Sequence, residues 1–277
     1  MKTIIVTGAN SGIGKEAALN LAKSGHRILM LSRDSEKSEQ ALEEIRSQSN
    51  NNQVFFIKVD LSSSQSIFSA VEKIKGDYET VDVLINNAGV YKVKREENED
   101  GIEMTFAVNF LATFLLTELL LENLKASGSG RIINVVSELY KNGSLDFSDL
   151  MLETGYKAGD AYANSKLAAV LYTEKLAKQI KEEGITVNAL HPGVLATNSF
   201  RDYPGLFVKL LNIFLEDPKK GGERIAYLAT SEEVATTSGK YFYKTEQQEI
   251  ETPGIGSETA NELWQVAQEL TGLDAVN

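Results

Sequence analysis

The segment Thr7-Gly8-Ala9-Asn10-Ser11-Gly12-Ile13-Gly14 constrains this chain more than any other. It follows the apolar run Thr3–Thr7 and precedes an amphipathic pattern in which Ile13, Ala17 and Leu21 share a face. Glycines placed this way let a backbone turn sharply out of a strand and approach a pyrophosphate, while the helix that starts there offers unpaired N–H groups and a favourable dipole. The spacing is G-x-x-x-G-x-G, not the G-x-G-x-x-G of the standard dinucleotide fingerprint, but the physical logic is shared. A ligand-free βα turn is the plain alternative, and the strand before it and the helix after it weigh against that. Gly8, Asn10, Ser11, Gly12, Ile13 and Gly14 are the candidate phosphate-side residues.

The rest of the chain repeats the same alternation. Strand patterns are expected at Thr3–Thr7, Arg27–Leu31, Val54–Val59, Val81–Asn86, Arg131–Val136, Thr186–Leu190 and Lys240–Phe242. Several are continuous apolar runs, as parallel strands covered on both faces require. Helical patterns separate them, and a terminal helix is expected over Ser257–Thr271, with Ser257 as N-cap and Gly272 as stop. The expectation is an α/β fold: one Rossmann-type doubly wound domain over 1–277, with a seven-stranded, mainly parallel sheet and helices on both faces.

Composition narrows the function. There is no cysteine, which removes disulfides, thiolate chemistry and cysteine-ligated zinc. With only two histidines besides, no metal site is expected. A formal net charge of −11 argues against nucleic acid as a partner. No apolar run is expected to reach the roughly 18 residues that span a bilayer, and Met1–Val6 is too short for a signal peptide. A cytoplasmic protein is expected.

The second strand ends Leu31-Ser32-Arg33-Asp34. An NAD enzyme usually carries a carboxylate at that tip to hold the ribose 2′-hydroxyl. Here Ser32 takes the tip and Arg33 follows, so a guanidinium is available to a 2′-phosphate and NADP(H) is expected over NAD(H). A one-residue change of register would bring Asp34 inward and favour NAD instead. The third strand ends in Asp60-Leu61, where the carboxylate either caps the next helix or accepts from an adenine amine. The fourth ends in Asn86-Asn87-Ala88-Gly89, small residues and amides suited to close backbone approach.

Tyr162 and Lys166 stand four apart in Tyr-Ala-Asn-Ser-Lys, on one face of an expected helix. A phenol titrates near pH ~10, so acid/base work near neutrality needs about 3–4 kcal/mol of preferential phenolate stabilisation. The Lys166 ammonium is expected to supply much of it. Ser137 follows the fifth strand, where open α/β sheets bind ligands, and its hydroxyl could hold a carbonyl oxygen. Asn109 lies in an otherwise apolar helix and needs partners if buried; it bonds backbone or holds a water that connects Lys166 to solvent. His191, closing the sixth strand, reads as structural. Each of these residues alone has an ordinary structural explanation.

Together, Thr7–Gly14, Asp60-Leu61, Asn86–Gly89, Asn109, Ser137, Tyr162-x-x-x-Lys166 and Pro192-Gly193 resemble the short-chain dehydrogenase/reductase family in order and spacing. Ser32-Arg33-Asp34, Phe110–Leu121 and Leu263–Leu273 resemble its retinol-dehydrogenase, WW-domain-oxidoreductase and protochlorophyllide-reductase branch. The resemblance implies carbonyl/alcohol interconversion by hydride transfer. Tyr162 would be proton donor and acceptor, Lys166 would lower its pKa and bind the nicotinamide ribose, Ser137 would hold the carbonyl, and Asn109 would support a relay water. Asn87, Ala88, Gly89, Pro192, Gly193, Val194 and Thr197 would complete the cofactor site with Tyr162 and Lys166. Family habit implies a homodimer or homotetramer.

Leu139–Asp160 and Leu195–Glu216 are long connections, and the second, a substrate lid over about 195–217, is strongly apolar. A hydrophobic small-molecule carbonyl or alcohol is therefore the expected partner, with packing of the lid on itself or on a subunit as the alternative. The competing functional class is a non-catalytic NADP-binding regulator or scaffold; the intact Asn109, Ser137, Tyr162 and Lys166 set argues against it. A light-driven protochlorophyllide-type reductase shares the motifs, without any thiol role here.

Overall fold

A computed structural model describes residues 1–33, 35–194, 216–252 and 255–273. Asp34, Thr197 and almost all of the expected 195–217 lid lie outside the described residues.

The strands β1 (Thr3–Thr7), β2 (Arg27–Ser32), β3 (Val54–Lys58), β4 (Val83–Asn86), β5 (Arg131–Val135), β6 (Thr186–His191), β7 (Tyr241–Tyr243) and β8 (Glu246–Gln248) form one sheet in the order β3-β2-β1-β4-β5-β6-β7-β8. The first seven pair in parallel and β8 pairs antiparallel with β7. The eighth strand corrects the expected count of seven. It is short, exposed and built of Glu246-Gln247-Gln248, so it carries no apolar signal. Lys244, at φ 61°, turns the chain between β7 and β8.

The order reverses between β1 and β4, which leaves a crevice at their carboxyl ends, where this architecture binds ligands. The helices α1 (Gly12–Lys23), α2 (Ser35–Ser49) and α6 (Pro218–Thr230) cover one face, and α3 (Ser64–Asp77), α4 (Met104–Ala126), α5 (Ala158–Gln179) and α7 (Ser257–Thr271) the other. Gly222 brings α6 onto α1: a Cβ there would stand 2.5 Å from the Glu16 Cβ. Asp217 caps α6 by accepting from the Lys219 N–H, with Pro218 in its first turn. Gly272, at φ 69°, ends α7 as expected, but the N-cap of that helix is Gly256 and not Ser257.

Helix α4 corrects a second expectation. Its mean hydropathy reaches 1.8 over 18 residues, so by length and composition it could cross a bilayer. In the fold 78% of that window is buried inside the protein. It is apolar all round because other elements surround it. Phe114 on α4, Tyr172 on α5 and Trp264 on α7 meet with ring centroids 5.3–5.5 Å apart.

Candidate active site

The turn after β1 uses its glycines in distinct ways. Gly8 and Gly12 adopt φ of 66° and 55°, which disfavour a side chain. A Cβ on Gly14 would fall 2.3 Å from Asn87 Nδ2 and 2.6 Å from the Gly8 carbonyl oxygen, whereas nothing stands within 4 Å of one on Gly12. Gly14 thus serves internal packing, and Gly12 leaves the backbone open at the start of α1. Thr7 joins this turn to the loop after β4: its Oγ1 accepts from the N–H groups of Asn87 and Ala88 at 2.8 and 2.9 Å, and Asn87 Nδ2 donates to its carbonyl at 2.8 Å. Asn87 Oδ1 is buried without a partner. The open helix start, the close backbones and this unsatisfied acceptor fit a dinucleotide lying across the crevice.

At the tip of β2, Ser32 is buried and its hydroxyl lies 2.7 Å from that of Ser38, which also accepts from Asn10 Nδ2 at 3.2 Å. Arg33 follows on the surface. Asp60 does not cap α3, whose N-cap is Ser63; its Oδ1 instead closes a turn before the helix by accepting from the N–H and hydroxyl of Ser62 at 2.9 and 2.7 Å. Leu61 is buried in the core.

Ser137, Tyr162, Lys166, Asn109 and Gly89 come together at the ends of β4 and β5. The Ser137 side chain stands near enough to the Tyr162 phenol to lower its pKa. Lys166 is 4% exposed; its Nζ donates to the Val135 carbonyl at 3.0 Å and lies 5.6 Å from the Tyr162 ring centre. A Cβ on Gly89 would stand 3.6 Å from that Nζ and 3.3 Å from Asn109 Oδ1, so the absent side chain leaves room beside both. Asn109 sits in a π-helical turn, Ala107–Leu111, inside α4. Its amide grips the loop after β4 by accepting from the Val90 N–H at 2.8 Å and donating to the Val90 carbonyl at 3.0 Å, and it also donates to Ser165 Oγ at 3.0 Å. Asn109 thus bonds backbone, that of the loop after β4 and not that of its own helix.

The electrostatics correct another expectation. Burial pushes the Tyr162 phenol up to about 12, and the Ser137 side chain only partly opposes this. Burial pushes Lys166 down to about 8. The Lys166 ammonium donates to Val135 O and lies 5.6 Å from the Tyr162 ring centre, and it adds no lowering of the phenol's pKa. His191 is buried against Tyr243, and burial lowers its pKa, which keeps it neutral and suits a structural position.

After β6, Gly193 takes φ 100°. Arg224 donates to the Pro192 carbonyl at 2.6 Å and to Glu216 at 2.6 Å, and Lys244 pairs with Glu216 at 2.8 Å. The two cations hold Glu216 down at about 2. The Glu216 N–H donates to the Val194 carbonyl at 3.0 Å.

A family model described as short chain dehydrogenase matches residues 2–204. The chain belongs to the short chain dehydrogenase family. Among relatives of this short chain dehydrogenase, retinol dehydrogenase 13 of Homo sapiens is 43% identical, with 99% of this chain and 86% of the relative covered. Retinol dehydrogenase 12 of Homo sapiens is 39% identical over 98% of this chain and 87% of the relative. A protein of Mycobacterium paratuberculosis described as uncharacterized superposes with a TM-score of 0.78 at 28% identity, covering 98% of this chain and 94% of that one. A short chain dehydrogenase of Escherichia coli complexed with NADPH gives 0.71 at 25% identity, covering 88% and 97%.

Sequence reasoning about this dehydrogenase missed Thr7 as the tie between two ligand loops, although a hydroxyl directly before the first glycine was a visible signal. It also missed the buried chain under the site. Asn86 Nδ2 donates to Thr117 Oγ1 at 3.0 Å and Asn134 Oδ1 at 2.9 Å, and Asn134 Nδ2 donates to Thr173 Oγ1 at 2.9 Å. Polar residues inside apolar strands and helices were the signal there.

Proposed function

We propose that this oxidoreductase interconverts a carbonyl and an alcohol with NADP(H), in the direction of carbonyl reduction, on a hydrophobic substrate. The observation that carries the reading is the Ser137 hydroxyl placed near enough to the Tyr162 phenol to lower its pKa, with the buried Lys166 ammonium 5.6 Å from the same ring. A substrate carbonyl oxygen within reach of both hydroxyls would be oriented by Ser137 and protonated by Tyr162. A phenol held near 12 is fully protonated at neutral pH, which is the state a proton donor needs. Once the proton has left, the phenolate would be balanced by the Lys166 ammonium. Asn109 acts at one remove, by fixing the loop that borders the pocket.

The Gly8–Gly14 turn and the start of α1 would hold the pyrophosphate, with Arg33 at the 2′-phosphate and Asn87, Ala88 and Gly89 along the crevice. The nicotinamide supplies the hydride; the chain supplies position and charge. For the substrate, Val93, Leu139 and Val194 are informative. Apart from Met1, they are the exposed large hydrophobic residues among those described, at 46%, 47% and 56%. They stand on the segments that follow β4, β5 and β6, at the carboxyl end of the sheet. An apolar rim of this kind suits an apolar alcohol or aldehyde, and the relatives named retinol dehydrogenases favour a substrate of that type.

The deciding experiment is a panel of aldehydes and ketones assayed with NADPH and with NADH, on the parent protein and on Tyr162→Phe. NADPH-dependent reduction of apolar members is expected, with Tyr162→Phe losing at least about 100-fold in kcat while still binding NADPH. Unchanged turnover in Tyr162→Phe would refute the reading.

A further inference from the structure

Tyr91, on the loop after β4, lays its ring against that of Tyr162 with centroids 5.5 Å apart and planes at 48°. The contact is fixed by a polar chain. Val90, the residue before it, is held through both backbone groups by the Asn109 amide; that amide donates to Ser165, whose hydroxyl donates at 2.8 Å to the Tyr162 carbonyl. The two rings are therefore registered by bonds that run from the backbone of Val90, next to Tyr91, to the backbone of Tyr162. A contact held this way has already spent the conformational freedom that a mobile wall would lose on binding substrate.

From this placement we infer that Tyr91 is a specificity-determining residue, the aromatic wall of the pocket, selecting flat conjugated or aromatic carbonyl compounds over saturated ones of equal size. The inference rests on the carbonyl-reductase reading above and deepens it. A carbonyl compound bonded to the Tyr162 hydroxyl would lie beside a ring that Tyr91 packs against at 5.5 Å between centroids. Leu139, two residues beyond Ser137, is 47% exposed at the end of β5. Leu139 offers only apolar area, which any hydrocarbon chain can use. Tyr91 offers a ring face with a quadrupole, which rewards a flat unsaturated partner in offset or edge contact.

The test uses an α,β-unsaturated aldehyde with extended conjugation and its saturated counterpart of equal carbon number, both reduced with NADPH. In Tyr91→Leu the ratio of kcat/KM values, conjugated over saturated, should fall about tenfold, chiefly through KM of the conjugated substrate, with NADPH affinity and thermal midpoint held close to the parent's. Tyr91→Phe should recover most of that ratio, since the ring is what acts. A ratio that stays put in Tyr91→Leu, or a loss shared equally by both substrates, overturns the inference while leaving the carbonyl-reductase reading intact. A parent protein that reduces neither aldehyde nor any other member of the carbonyl panel overturns both. Should Tyr91→Leu fold poorly, Tyr91→Phe and Tyr91→Trp serve instead: the ratio should hold or rise with a ring present, and a tenfold fall in either would refute the inference.

Discussion

Lys166 and Tyr162 face each other across 5.6 Å from ammonium nitrogen to ring centre, and the ammonium is bonded to the Val135 carbonyl and not to the phenol. Both groups are driven by burial toward their neutral forms. On the proposed function, the charge disfavoured at Lys166 would become useful when Tyr162 gives up its proton.

That disfavoured charge should show in stability. Below pH 8 the buried ammonium is disfavoured, because Lys166 is held near 8 in the folded chain against an ordinary value near ~10.4; the gap corresponds to roughly 3 kcal/mol. Replacing Lys166 by Met removes that penalty but also the bond to Val135. We expect Lys166→Met to melt roughly 3–6 °C above the parent at pH 7, with turnover lost. The folded state sheds its proton first, so parent stability rises relative to the variant between pH 8 and about 10, and the difference closes there. A variant that melts lower than the parent at pH 7 would show that the ammonium is stabilising.

Catalysis should follow the same group. In the reducing direction Lys166 is needed as ammonium, so kcat/KM should be flat through neutrality and fall as pH rises past about 8. Tyr162 keeps its proton through this window because its own value lies near 12. Rate measurements from about pH 6 to 10 with saturating NADPH check this; a profile still level at pH 10 contradicts it.

Asn109→Ala leaves the Val90 N–H and carbonyl without their partner and unlinks Ser165. The expected loss is roughly 2 kcal/mol of stability, since buried polar groups left unpaired cost about 1–3 kcal/mol each and the loop can recover part of it from water. A larger fall in kcat than in NADPH affinity should accompany it, because the loop carries Tyr91 to Tyr162. Denaturant unfolding and steady-state rates together measure both effects.

Arg33→Ala bears on cofactor choice. Arg33 is exposed beside the buried Ser32, so its removal costs the fold little. Fluorescence titration should show NADPH binding weakened tenfold or more with NADH affected slightly. Equal weakening of both removes the 2′-phosphate role.

Much of the fold could be read from local pattern. The seven parallel strands announce themselves as apolar runs, and β8 does not, because a solvated edge strand of Glu246-Gln247-Gln248 needs no apolar face. Helix α4 was legible as apolar, but whether such a run faces lipid or protein depends on what packs around it. In the site, Ser137, Tyr162 and Lys166 were identifiable by type and spacing. The direction of the Lys166 ammonium, the grip of Asn109 on Val90 and the Tyr91 ring contact were not.

The sequence by itself determined the alternation of strand and helix, the glycine turn and the four-residue spacing of Tyr162 and Lys166 on one helix, because these follow from backbone freedom and side-chain chemistry within a few residues. Only the tertiary structure decided how those groups titrate and which of them touch. Burial and hydrogen bonding depend on elements far apart in the chain: Lys166 meets Val135, Asn109 meets Val90 and Ser165, and Thr7 meets Asn87. No local pattern encodes the dielectric surroundings or the bond partner that such distant neighbours impose on a phenol or an ammonium.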